Sequence, residues 1–164
     1  MQKITPYLWF ADEAEQAMNF YVDIFKNSPS KALGESKIDK IVRYPGGYTE
    51  GPMANMEGKV LTGIFWLAGQ RFMALDGGPI FKFTEATSFY VECEDQTEID
   101  YFWGKLSAVP DSEQCGWLKD KYGLSWQIIP KNMEALIGKS KKAMDTMLKM
   151  KKIDIKQLEE AGKA

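Results

Sequence analysis

A pattern that occurs twice constrains this chain more than any other feature. Near the N-terminus, "ITPYLWF" (4–10) is rich in strand-forming residues, and "DEAEQAMNFYVDIF" (12–25) follows with helical periodicity. Ala17, Phe20, Tyr21 and Ile24 share one helix face, and Asp12 and Glu15 have the spacing of a capping box. The pattern returns as "TSFYVEC" (87–93) and "EDQTEIDYFWGKL" (94–106), with Asp95 and Glu98 at the capping spacing. Ala17 matches Ile99, Phe20 matches Phe102, Tyr21 matches Trp103 and Ile24 matches Leu106, at a constant offset of half the 164-residue chain. A sequence that repeats type and phase together predicts two copies of one supersecondary unit.

Strands follow each helix. In the first half they are expected over 38–44, 60–69 and 70–78, with a turn at Ala68-Gly69-Gln70 and a glycine-rich loop over 44–52. In the second half they are expected over 107–109, 114–118 and 124–129, with a turn from Lys119 to Gly123. Each half is then β-α-β-β-β. The expected class is α+β: two such modules, plus C-terminal helices. The expected organisation is one domain over 1–130, with repeats 4–78 and 87–130, and a helical extension over 131–164. In that extension Met144, Met147 and Leu148 mark a helix near 140–151, and Asp154 caps a last helix ending near Ala161.

Composition narrows the function. Net charge is −2 and the pI about 5.3, so no basic field draws in nucleic acid. No apolar run reaches the length of a membrane span, and "MQKITPYLWF" lacks the apolar core of a leader, so a cytoplasmic protein is expected. Cys93 and Cys115 are expected as reduced thiols. The chain has no His, which removes the commonest ligand of transition metals. Its arginines are only Arg43 and Arg71, so planar clamps for carboxylate or phosphate are few.

The duplicated unit, together with "ITPYLWF…AEQAMNFY…IF", "ALDGGPIFKFTEATSFYVECEDQTEID", "CGWLKDKYGLSWQIIP" and "MLKMKKIDIKQLEEA", resembles the vicinal oxygen chelate superfamily, and within it the PhnB-like branch. That branch carries the domain name 3-demethylubiquinone-9 3-methyltransferase. The resemblance implies that the two modules form a cupped mixed sheet with helices on its convex face, an open cup that holds a small ligand, in a homodimer. Metalloenzymes of the superfamily take ligands from four strands. Carried over, those positions fall on Pro6, on Met73 to Leu75, on Ser88 and on Gln127. Only Gln127 has a suitable donor, so no metal and no cofactor are expected.

Strand alternation places Pro6, Leu8 and Phe10 toward the cup, with Tyr7 and Trp9 against the helices. Ser88, Tyr90 and Glu92, and Ser125, Gln127 and Ile129, likewise face the cup, while Asp76, Phe81 and Phe83 shape its mouth. An apolar, aromatic cavity with few polar groups suits an aromatic or amphipathic small molecule. The expected function is metal-independent binding of such a molecule. A metal-independent isomerase or lyase acting through Glu92, Tyr90 or Gln127 is the alternative, and methyl transfer follows from the family name alone. Neither "YPGGY" nor "LDGGP" has the strand-to-helix context in which glycines cradle a nucleotide cofactor.

Overall fold

The computed structural model describes residues 2–30 and 33–163. The chain separates into two compact units, Met1–Asn27 with Lys31–Lys82, and Ser28–Ser30 with Phe83–Ala164. Each contains one copy of the repeat.

In the first unit, β1 (Tyr7–Phe10), α1 (Ala14–Lys26), β2 (Lys37–Arg43), β3 (Val60–Leu67) and β4 (Gln70–Asp76) form a four-stranded sheet of order β1-β4-β3-β2 with one helix. β1 runs parallel to β4, and the other pairs are antiparallel. The β3–β4 hairpin closes through Ala68 and Gly69, both at positive φ (50° and 78°). That is the left-handed pair a two-residue hairpin loop requires. α1 packs on the face that carries Gly63, where a Cβ would stand 2.5 Å from the Met18 sulfur. A larger residue there would push the end of the Met18 side chain aside. Gly63 pairs with Ala74, and Ala74 with Leu8, so Leu8 lies on the helix-covered face. Phe10, Phe65 and Phe72 are buried on the same side.

The assignment of faces in β1 is therefore reversed from the expectation. Leu8 and Phe10 are core residues beneath α1, while Tyr7 and Trp9 face the open side. "YLWF" is apolar at every position, so alternation alone could not say which face is inside.

The second unit holds β5 (Ser88–Cys93), α2 (Gln96–Leu106), β6 (Trp117–Lys119) and β7 (Ser125–Pro130), with sheet order β5-β7-β6. Val91, Cys93, Leu118, Trp126 and Ile128 are buried on one face, and Ile99, Phe102 and Leu106 of α2 are buried with them. The expected strand at 107–109 is absent. That segment makes one ladder-like bond, from Ala108 N to Lys119 O (3.0 Å), and Pro110 then opens a short 3-10 turn. Proline has no N–H to continue a ladder. The strand expected at 114–118 begins only at Trp117, because Cys115 and Gly116 adopt left-handed backbone (φ 51° and 85°).

The two helices start differently. Asp95 caps α2, accepting from Glu98 N at 3.0 Å, while Glu98 Oε2 accepts from Glu94 N at 2.6 Å. In α1 the side chains of Asp12 and Glu15 do not form the expected box. The helix begins at Ala14, whose N–H donates to Asp76 Oδ1 (2.9 Å) at the far end of β4.

The C-terminal segment forms α3 (Met133–Ile137), α4 (Lys141–Met147) and α5 (Ile155–Gly162). Asp154 caps α5 as expected, accepting from Gln157 N (2.9 Å). α4 is shorter than expected. Met144 and Leu148 are exposed, and Ala143 is the buried position of that helix. Met133, Leu136, Ile153 and Leu158 make a cluster around Ile129. Ile129 lies on the side of the sheet opposite α2, so this cluster covers one end of the second sheet's open face.

Candidate functional site

The open face of the second sheet reads as rows across three strands. Ser88, Ser125 and Lys119 are in register, then Tyr90, Gln127 and Trp117, then Glu92 and Ile129. Alternation brings these side chains to one face because Val91, Trp126, Ile128 and Leu118 fill the other. The C-terminal cluster covers the Ile129 end. The rest of that face carries a polar strip of half-buried Ser88 and Gln127 and fully buried Ser125, with two aromatic neighbours.

Within this strip Gln127 Nε2 donates to Ser88 Oγ at 2.9 Å. Ser125 is only 1% exposed, and its hydroxyl has no hydrogen-bond partner. Such a group costs about 1–3 kcal/mol unless something satisfies it. Tyr90 is exposed, and its phenol is raised above its ordinary value by burial of the hydroxyl and by the charge of Glu92. It is therefore a protonated donor at neutral pH. Lys119 forms an ion pair with Glu85 at the edge of the strip.

The remaining candidate residues lie elsewhere. Asp76 is buried, and both carboxylate oxygens are used: Oδ1 by Ala14 N, Oδ2 by Val60 N at 2.8 Å. It fastens α1 and the start of β3 to β4. Phe81 is exposed with its ring edge-on to Trp9 (centroids 5.0 Å apart), and Phe83 is half-buried in the second unit. Glu92 is exposed on the open face.

Two features escaped the sequence. One is a charged cleft of about 510 Å³ in the first unit, lined by Asp12, Glu15, Arg43, Glu57, Lys59 and Asp76 among others. Arg43 engages Glu15 (2.9 Å) and the Gly58 carbonyl (3.0 Å) there. The other is Asp120, fully buried, which accepts from Tyr122 N, Leu124 N and Trp126 Nε1 and so shapes the β6–β7 turn. An Asp four residues before an apolar strand was its only signal.

The positions that hold metal in the superfamily do not fit a divalent ion. Met73 offers a thioether, Pro6 nothing, and in the second unit Gln127 and Ser88 bond to each other. Among the described residues no three His, Cys, Asp or Glu side chains are grouped closely enough to hold a metal ion. No described helix is long and apolar enough to cross a membrane.

The PhnB protein from Bacillus cereus is 40% identical, with a TM-score of 0.60 over 79% of this chain and 98% of that one. A Pseudomonas aeruginosa protein shares 16% identity at a TM-score of 0.57, over 79% and 97% of the two chains, and so shows the fold alone. No curated protein sequence matches. Fold and likeness together define a PhnB-like protein of the vicinal oxygen chelate type. More narrowly, the family model of 3-demethylubiquinone-9 3-methyltransferase matches residues 2–129, and the chain belongs to that family. The helical extension lies beyond the matched residues.

Proposed function

We propose that this is a small-molecule binding protein that takes an aromatic or amphipathic ligand on the open face of its second sheet, without a metal, as a cytoplasmic homodimer. The observation that carries the proposal is the buried, unpartnered Ser125 hydroxyl beside the Gln127–Ser88 pair. A ligand with one polar group satisfies Ser125, and its apolar body rests against Trp117 and Tyr90, which flank Gln127 in register. The two free cysteines suit a reducing compartment. Methyl transfer finds no support in the loops. Gly46-Gly47 lies between β2 and β3, and Gly77-Gly78 leads from β4 into irregular chain, so neither opens a helix.

Native mass spectrometry of gently purified protein tests this. The expected species is twice the 18.6 kDa chain mass and carries an organic adduct. Ser125→Ala is expected to lose that adduct while melting no lower than the ligand-free parent, because it removes an unsatisfied hydroxyl. A bare monomer whose melting no aromatic or amphipathic compound raises overturns the proposal. Stabilisation by S-adenosylmethionine alone overturns it in favour of methyl transfer.

A further inference from the structure

The two arginines of the chain are in different situations. Arg43 is held by a carboxylate and a carbonyl. Arg71 is half-buried, and among the described residues its guanidinium makes one hydrogen bond, to Thr5 Oγ1 at 3.3 Å, with no carboxylate paired to it. A guanidinium cannot discharge itself by losing a proton, so partial burial favours an anion beside it.

The surroundings of Arg71 are built. Its backbone N–H donates to Gln2 Oε1 (2.9 Å), and its carbonyl accepts from Gln2 Nε2 (3.0 Å), which ties the segment before β1 to β4. Phe72 faces the helix side, so Arg71 faces the open side of the first sheet. Directly opposite is Trp66, and the next row on that face is Lys40, Ile64, Met73 and Tyr7. Tyr7 is fixed by its hydroxyl, 3.1 Å from Thr62 Oγ1. Lys37, on the other side of Trp66, is committed to Glu35 at 2.7 Å. The Arg71 guanidinium therefore stands, without a carboxylate partner among the described residues, at the edge of an apolar, aromatic floor, with Lys40 at the outer end of the next row.

We propose that Arg71 anchors the carboxylate of an aromatic monoanion that lies over Trp66 and Met73 on the open face of the first sheet. The carboxylate accepts the paired N–H groups of the guanidinium fork, and the ring covers the indole and thioether. This site belongs to the first unit alone, so it stands or falls separately from Ser125.

Because the chain has two arginines, isotope-labelled full-length protein gives two Arg Nε–Hε signals, which Arg43→Lys assigns. Naphthoate is the probe, with naphthamide as its neutral counterpart and inorganic phosphate as a bare anion. The expected result is a saturable naphthoate-dependent shift of the Arg71 signal, with the Arg43 signal still and naphthamide without effect. Arg71→Gln is expected to weaken naphthoate binding about tenfold or more by calorimetry, and Arg71→Lys less. An unmoved Arg71 signal, or equal binding of acid and amide, overturns the proposal whether or not the variants fold. So does a response to phosphate without one to naphthoate.

Discussion

Replacing Asp76 by Ala removes the acceptor for two backbone donors on separate elements, Ala14 N at 2.9 Å and Val60 N at 2.8 Å. The site is buried, and the carboxylate oxygens themselves bond these two donors. A hydrogen bond to a charged acceptor contributes about 1.5–3 kcal/mol, and a buried donor left without one costs about 1–3 kcal/mol. Two such losses, offset in part by no longer burying a carboxylate, give an expected destabilisation of about 3–5 kcal/mol. With a urea slope of about 2 kcal/mol per molar, the midpoint falls by roughly 1.5–2.5 M. Asp76→Asn keeps one acceptor oxygen but turns an NH₂ toward the other backbone N–H, so about half that loss is expected. Urea titration followed by far-UV circular dichroism reads both variants. If each stays within about 1 kcal/mol of the parent, Asp76 does not fasten α1 and the first sheet in the way described.

Two further outcomes are open to direct measurement. Gly116 sits at φ 85°, and a Cβ there would stand 3.1 Å from Ile128 O and 3.2 Å from Ile153 Cγ1. Gly116→Ala is therefore expected to cost about 1–3 kcal/mol and to loosen the C-terminal helices, seen as faster proteolysis beyond residue 130 with 1–82 unaffected. Burial pushes the Cys93 thiol from 9.0 up to about 12, so a thiol reagent should titrate Cys115 alone until denaturant exposes Cys93. Because the folded value is the higher one, the stabilisation from Cys93 is complete below pH 9 and is lost as pH climbs toward 12. Cys93→Ala should flatten that alkaline decline, and an unchanged decline would count against a buried thiol as its source.

Local chemistry was legible in the sequence wherever partners lie near one another in the chain. The α2 and α5 caps, the Ala68-Gly69 turn and the alternation of β5 and β7 needed only neighbours within a few residues. Ser88 and Gln127 were singled out as positions, and the structure adds that they bond to each other. What was not legible depends on distant contacts. Asp12 and Glu15 imitate a cap, whereas the true acceptor for Ala14 is 62 residues away. In β1 the choice of face depends on which side Met18 and Gly63 bring the helix to. The missing partner of Ser125 is a property of packing and has no signature in sequence. The C-terminal helices showed their caps and not their seat on Ile129, because that seat is set by tertiary contacts.

The C-terminal segment has a consequence for assembly. β6 is the outer strand of its sheet, and such an edge ordinarily presents free backbone groups to any passing strand. Here Trp117 O accepts from Gln114 N and Lys119 O accepts from Ala108 N, while just before the strand Cys115 N and Gly116 N donate to Met150 O and Lys151 O (2.8 Å each). The chain occupies its own edge along nearly its whole length. A second copy cannot extend this sheet by pairing at β6, and fibrillar growth from that side is blocked as well, so self-association must use side-chain surfaces or another edge.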